Sequence, residues 1–595
     1  MSKKAFDIRK IRNLPEALFV QAGQHPYHAA QLRRKKGAYV PITYMELATR
    51  VRRLASHLLQ QGIEPGDRIG ILMENRPEWA VVDFATLSIG AVTVPLYCTY
   101  RPQDIAFVLN DAGVRYVFSS GGNLLRHLLE ASKLCQKIER IYVVDEDVEH
   151  AGVIPAQPLI YEGNIDEEGI ERRLQQLDRQ TLATLVYTSG TTAKPKGVML
   201  SHGNILANLD AVPDIITFER DDLFLSFLPL AHMLERTASH FLPYSFGISV
   251  AFAERPDTVA KNLIEAEPTI MITVPRMLEV VRNKILAQVR KQPQFSQRLF
   301  FFFLALSTTY VQTGQLPLHK RWLYRWLDRR IGQRIRDRFG GRLRLLVSGG
   351  APLGIEVAEF FSALGIPVIE GYGLTECAPL LTVNPLDTPR PGSVGKAVSG
   401  VELRLADDGE ILARGANIML GYWQNPQATK DVIDDEGWFH TGDIGRLDEE
   451  GYLYITDRKK DIIVNSGGEN IAPQRIEALL TADPMIDQAV IYGDQKPYLV
   501  ALIVPNEEAV GQWARDQGLP QTDWSHLCAS AVVRKMLQTH INGLLSQLTP
   551  FEQIRRIHVL DKPFGIDNGL LTPTLKIKRR KVYEAFREEL ESLYS

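Results

Sequence analysis

Hydrophobic and polar positions alternate along this chain in two rhythms. The stretch TYMELATRVRRLASHLLQQG carries apolar residues at helical spacing; the short apolar run RIGILM, a second helical stretch WAVVDFATLSIG and a second run AVTVPL follow it. Sustained from about residue 43 to residue 260, the alternation predicts βαβ units and a parallel sheet. LATLVYTSGTTAKPKGVMLSHGNILANL predicts a buried strand, a loop of Gly, Thr, Ser and Lys, a second strand, and a helix capped by Ser201. The same logic returns in LRLLVSGGAPL, in the following helix GIEVAEFFSALG closed by Gly365, and in IPVIEGYGLTE. Ligands of open α/β sheets sit at the carboxyl ends of such strands, so the three loops are candidates for one shared site. Between residues 440 and 470 the rhythm changes to short strand-like pieces with turn signals, and then to an α/β mixture. A domain boundary is expected near Asp457.

At ~150 residues per domain, a chain of 595 residues is too long for one core. Its 68 Lys+Arg against 70 Asp+Glu leave a net charge of −2, so no global field draws in nucleic acid or an anionic membrane. Hydrophobic residues at 45% and charged residues at 23% are ordinary globular usage and argue against a disordered or fibrous chain. Cys98, Cys135, Cys377 and Cys528 form no CxxC pair, which suggests neither a disulfide framework nor a thiolate metal site and fits a reducing compartment. The amino terminus has no apolar core before a small-residue cleavage site, so a cytoplasmic location is expected. The greasiest run, LFFFFLAL at residues 299–306, makes about 12 Å of helix against the ~30 Å of a bilayer core.

The strongest local signal is YTSGTTAKPKG at residues 187–197. Small residues let backbone N–H groups approach an anion, hydroxyls add donors, and Lys194 and Lys196 add positive charge, a combination suited to a polyphosphate. A Walker loop needs Gly-Lys-Ser/Thr opening a helix, whereas Lys196 precedes Gly197-Val198 and a predicted strand. A Gly/Ser/Thr loop alone is more often a plain turn; the full eleven-residue string is not plain.

That string resembles the signature of the adenylate-forming superfamily: acyl-CoA synthetases, luciferases and the adenylation domains of peptide synthetases. Further superfamily motifs follow in the expected order over nearly the whole chain. They are LPLAHMLER (228–236), GYGLTE (371–376), GWFHTGD (437–443), DRKKD (457–461) and TPTLKIK (572–578). Within the superfamily the chain is most similar to long-chain fatty-acid:CoA ligases, through the LPLxHxxER form, RKKDIIVNSGGENIAP and a long basic, aromatic insertion before SGGAPL. The resemblance implies an α/β architecture: a large AMP- and acyl-binding domain of α/β subdomains over residues 1–456, a hinge over 457–460, and a small mobile α+β domain over 461–595. Lys460 falls at the hinge position.

By the same resemblance Lys576, Glu376, Thr188 and His232 are the catalytic candidates. Glu376 ends a Gly-rich turn, where a carboxylate can bind Mg²⁺ carried by ATP, and Thr188 is its hydroxyl partner; the bland alternative is a surface Glu. The remaining nucleotide contacts fall on Ser189, Gly190, Thr191, Thr192, Lys196, Thr375, Gly371 and Gly373, and on Gly349, Gly350 and Ala351, small enough for a flat base to pass. Tyr372 resembles the ring that stacks on adenine. Asp443 suits acceptance from two ribose hydroxyls, although its turn also favours an Asx-turn. Arg458 resembles the arginine facing ribose and phosphate; otherwise it is a solvated charge. Lys576 matches the catalytic lysine, with Thr574-Leu575 where Ser-Gly is usual, and could instead belong to the basic tail after it. A charge on a long stem can neutralise the α-phosphate and its attacker. His232 is assigned to substrate orientation, not proton transfer. His202 is given no chemistry, and Cys377, without a recognisable base, is not read as a nucleophile.

The implied reaction is ATP-dependent activation of a long-chain fatty acid to acyl-CoA through an acyl-adenylate, with ATP, Mg²⁺ and coenzyme A. Transfer to an acyl carrier protein shares every nucleotide motif, and a catalytically silent binding protein is the reading from another class. Residues 318–344 carry ten Lys/Arg against Asp328 and Asp337, with Trp322, Tyr324 and Trp326 interleaved. They read as a solvated helical face, a peripheral membrane patch, or an entry for the fatty carboxylate. No nucleic-acid motif accompanies them.

Overall fold

The computed structural model describes residues 6–146, 148, 150–188, 195–519, 523–572 and 576–595. The first rhythm folds as its periodicity requires. Thr43 caps the helix Tyr44–Gln60 in a reciprocal box with Glu46, Thr43 N donating to Oε2 at 2.7 Å. Strands Arg68–Leu72, Val92–Pro95 and Tyr116–Ser119 then pair in parallel. They lie in an eight-stranded sheet that ends in the antiparallel hairpin Leu182–Thr188 and Lys196–Ser201 and the short strand Gly421–Tyr422. Ser201 caps the helix His202–Ala211 by accepting from Asn204 N at 3.1 Å.

A second, nine-stranded sheet runs in parallel through Val368–Gly373, Leu345–Ser348, Ile270–Thr273, Leu223–Ser226 and Ser249–Phe252. One large apolar core joins both sheets. In it lies the helix Pro77–Ser88, buried at every position and therefore without a polar face. Its Asp83 is compensated internally: Arg236 pairs with both carboxylate oxygens, at 2.5 and 3.1 Å, and His240 Nε2 lies 3.0 Å from Oδ2. Burial lowers the His240 pKa, while Arg236 and His240 hold the Asp83 carboxyl down at about 2 against its own burial.

A four-stranded antiparallel sheet includes Phe439–Leu447 and Leu453–Arg458. The chain then enters a smaller α+β unit with its own core, built on the strands Ile486–Tyr492, Leu499–Pro505 and Ile554–Val559. The architecture is thus the expected one, a large α/β domain followed by a small α+β domain. Among the described residues, no helix is long and apolar enough to cross a membrane; LFFFFLAL belongs to the helix Gln294–Thr313. The basic segment forms the helix Leu318–Leu327 and continues through a π turn, Asp328–Gly332.

Candidate active site

Three strand ends and the small domain enclose one cavity of about 1430 Å³, larger than the ~300–1,000 Å³ of an ordinary ligand site. The predicted residues Thr188, Lys196, His232, Gly349, Gly350, Ala351, Gly371, Tyr372, Gly373, Thr375, Glu376, Asp443, Arg458, Lys460 and Lys576 all line it. Ser189, Gly190, Thr191 and Thr192 lie outside the described residues, as do Lys194, Thr574 and Leu575.

Thr188 ends one arm of the hairpin, and register sets it opposite Lys196. Glu376 follows the strand Val368–Gly373 on a single 3₁₀ turn, Thr375–Cys377. The tightness of this approach explains Gly373: a Cβ there would stand 1.7 Å from the Pro379 carbonyl oxygen. Tyr422 donates to Glu376 Oε1 at 2.9 Å, and Lys196 Nζ sits 4.7 Å from the Tyr422 ring centre, a cation–π contact. Among the described residues no hydrogen bond or ion pair takes the second Glu376 oxygen, which leaves it for a ligand. Sequence reasoning missed Tyr422, which lies 46 residues from Glu376 in no motif. It also passed over Glu370, which lines the cavity, and whose carboxyl burial pushes up to about 7.

Asp443 and Arg458 face each other across the ladder, with Nε 3.2 Å from Oδ1. Tyr372 donates to Oδ2 at 2.7 Å. Thr441, not Asp443, makes the local turn bond, since Asp443 N donates to Thr441 Oγ1 at 3.1 Å. Asp443 is therefore free of an Asx-turn, and each of its oxygens keeps a lone pair. Arg458 is paired and not merely solvated.

Lys576 enters the cavity from the small domain. Leu571 and Ile577 bridge, Thr572 N donates to the Lys576 carbonyl at 2.8 Å, and Lys576 N donates to Thr572 Oγ1 at 3.0 Å. Its side chain lines the cavity and is exposed to it. Desolvation, with the Arg458 charge adding to it, lowers the ammonium pKa to about 8 against the opposing pull of Asp443 and Glu376.

His232 Nδ1 accepts from Leu234 N at 3.2 Å. Burial, aided by Lys576, lowers its pKa to about 4, so the ring is neutral at pH 7 with its proton on Nε2. It can donate into the cavity but does not titrate near neutrality. His202 is structural: its Nδ1 accepts from Leu14 N at 3.2 Å and anchors the helix Leu14–Gln24. Cys377 is buried, and burial pushes its thiol pKa up, so it is a poor nucleophile.

Away from this polar end the cavity turns apolar. Val212, Ile216, Leu242, Ile270, Leu345 and Val347 line it between the helix that follows Ser201 and one face of the nine-stranded sheet.

Comparison with protein families matches residues 18–423 to the AMP-binding enzymes and residues 460–595 to the AMP-binding enzyme C-terminal domain. Among curated proteins, the chain is 33% identical to the long-chain-fatty-acid–CoA ligase FadD15 of Mycobacterium bovis, covering 99% of this chain and 98% of the relative. It is equally similar, at 33%, to human long-chain-fatty-acid–CoA ligase 6, covering 95% and 84%. Among solved structures, it resembles the anthranilate–CoA ligase AuaEII in complex with anthranoyl-AMP, with a TM-score of 0.73, 20% identity and coverage of 98% and 99%. It also resembles the adenylation domain of a carboxylate reductase from Mycobacterium chelonae, with a TM-score of 0.75, 22% identity and coverage of 100% and 92%.

Proposed function

The chain belongs to the AMP-binding enzyme family, and we propose that it joins a long-chain fatty acid to coenzyme A, using ATP and passing through an acyl-adenylate. The observation that carries this reading is one cavity with a polar end built from the nucleotide motifs and an apolar end fit for a hydrocarbon chain.

In the first half-reaction the fatty carboxylate attacks the α-phosphate and pyrophosphate leaves. Asp443 accepts from the ribose, Arg458 braces it, and Tyr372 and the small loop at Gly349 to Ala351 border the base. The His232 Nε2–H orients the carboxylate. Lys576 neutralises the charge shared by attacker and phosphate, a preorganised electrostatic role that needs no reorganisation. Glu376 and Thr188 offer oxygen donors beside this point, which suits Mg²⁺. When bound, that ion offsets phosphate charge.

In the second half-reaction the small domain turns, Lys576 withdraws, and the CoA thiol attacks the acyl carbonyl, releasing AMP. Lys460 is the natural hinge. Arg458 is still laddered to Asp443, and Lys459 is tied to Asp408 and Glu410 at 2.5 and 2.9 Å. Lys460 is exposed and makes no ion pair among the described residues. CoA is preferred over a carrier protein as acceptor because the full-length relatives are named as CoA ligases.

The finer reading of residues 318–344 is peripheral membrane contact. Leu318, Trp322 and Trp326 recur at four-residue spacing and are 82%, 70% and 46% exposed. Neighbouring Arg321, Arg325, Arg329 and Arg330 form no ion pair among the described residues. An aromatic stripe edged by cations that no described carboxylate neutralises, one of them Arg330 over the Trp326 ring at 5.8 Å, suits an anionic interface. Loss of liposome co-sedimentation in a Trp322, Arg325 and Trp326 triple variant is expected; unchanged sedimentation sinks this reading.

The function itself is tested with purified protein, Mg·ATP and a ladder of fatty acids, with and without CoA. Acyl-CoA formed only when CoA is present is the expected result. Acyl-AMP without acyl-CoA moves the acceptor to a carrier protein, and silence with every acid rejects the ligase.

A further inference from the structure

The apolar end of the cavity has an aromatic floor. Strand register sets cavity-lining side chains in two rungs: Ile272, Val347 and Ile369 stand level, and Phe224, Ile270 and Leu345 stand level one step farther from the nucleotide end. Same-face rungs are roughly 7 Å apart, at ~3.3 Å per residue. Past the lower rung the Phe218 ring packs on Phe224, with centroids 6.1 Å apart, and on Phe246 at 5.5 Å. Phe246 in turn packs on Phe6 at 6.1 Å. Phe218 and Phe224 line the cavity, and Phe246 and Phe6 back them from outside the lining.

The segment bearing Phe218 is pinned. Arg344 donates to the Thr217 carbonyl at 3.2 Å and pairs with Asp222 at 2.6 Å, while Arg342 pairs with Asp221 at 2.7 Å. These bonds fix the backbone that carries Phe218, and the ring itself is held by its packing against Phe224 and Phe246. A chain growing toward it meets half-buried rings packed three deep, which must be displaced to admit further methylenes.

We propose that Phe218, backed by Phe246, is the stop against which the methyl end of the acyl chain rests, and that it sets the longest fatty acid this enzyme accepts. The proposal rests on the fatty-acid reading above. It makes Phe218 a specificity residue with no part in the chemistry.

The test is the kcat/KM profile over a ladder of saturated fatty acids, read as acyl-CoA formed by the full chain and its variants. In Phe218→Ala, acids one or two methylenes beyond the wild-type cutoff should gain roughly tenfold or more over shorter acids, the scale on which an apolar pocket discriminates a methylene. Phe246→Ala should move the cutoff the same way by less, and Phe218→Trp should move it to shorter acids. Phe218→Leu, a milder change, keeps the test intact if the alanine variant does not fold. An unmoved cutoff in the folded Phe218 variants overturns the stop while leaving the ligase standing. A wild type that forms no acyl-CoA from any acid overturns both.

Discussion

Arg458 stands directly opposite Asp443 across an antiparallel ladder, its Nε 3.2 Å from the carboxylate, and both charges act on Lys576 of the small domain. Arg458 lowers the Lys576 pKa and Asp443 raises it. In the proposed mechanism the protonated lysine is the working form, so kcat/KM for adenylation should fall as pH rises through about 8. Arg458→Gln should move that limb to higher pH and Asp443→Asn to lower pH. The readout is the position of the limb in pyrophosphate release, whatever each substitution does to its height. No limb is expected near 6.5, because His232 stays neutral down to about 4.

Lys576→Ala should slow adenylation by roughly 10²–10³, as expected for deleting one preorganised charge. Thioester formation from supplied acyl-AMP and CoA should be spared. Equal loss in both halves, measured by quenched flow, refutes the assignment.

Lys460→Pro should do the reverse. A fixed φ at this proposed hinge should hinder rotation while leaving the present docking, with Lys576 in the cavity, intact. Acyl-AMP should accumulate and acyl-CoA fail to form; a fully active variant means that the chain turns elsewhere.

Glu376→Gln should cut pyrophosphate release by roughly 10²–10³ and raise the Mg²⁺ concentration for half-maximal rate, because a charged oxygen donor is lost. Tyr422→Phe removes only the 2.9 Å bond that orients that carboxylate and should cost about tenfold or less. A magnesium titration of both variants separates donor from support.

Glu235 yields a stability prediction. It is fully buried, accepts from Ser226 Oγ at 2.7 Å and Phe227 N at 3.1 Å, and burial pushes its carboxyl pKa up to about 8. A raised folded-state pKa means that the folded state holds a proton the unfolded chain releases above its ordinary value of 4.5. The stability contributed by that proton is present at low pH and is lost as pH rises to about 8. Glu235→Gln should therefore gain on the wild type across this window in urea denaturation, with no further gain above it. A gap that does not change with pH refutes the buried neutral carboxyl.

Much of this protein was legible in one dimension. The βαβ rhythm, the Ser201 cap and Gly365 at its helix end depend on side-chain period and local backbone preference, which a few neighbouring residues dictate. The motif loops were legible for the same reason: a close approach such as Gly373 against Pro379 demands a residue type at one position. The sequence likewise carried the order of the motifs and the division into a large and a small domain.

What a side chain meets across the fold was not legible. Tyr422 reaches Glu376 only because Gly421–Tyr422 pairs with Lys196–Ser201, and no periodicity predicts a two-residue strand. For Arg458 the sequence left a solvated charge as the alternative to a ribose-facing role until register set it opposite Asp443, and the Asx-turn alternative for Asp443 gave way to a bond made by Thr441. Lys576 has its lowered pKa, and Phe218 its place at the apolar end of the cavity, only through groups distant in the chain. Periodicity and glycine requirements are local and therefore written in sequence, whereas charge pairing, desolvation and pocket depth are sums over neighbours that only packing brings together.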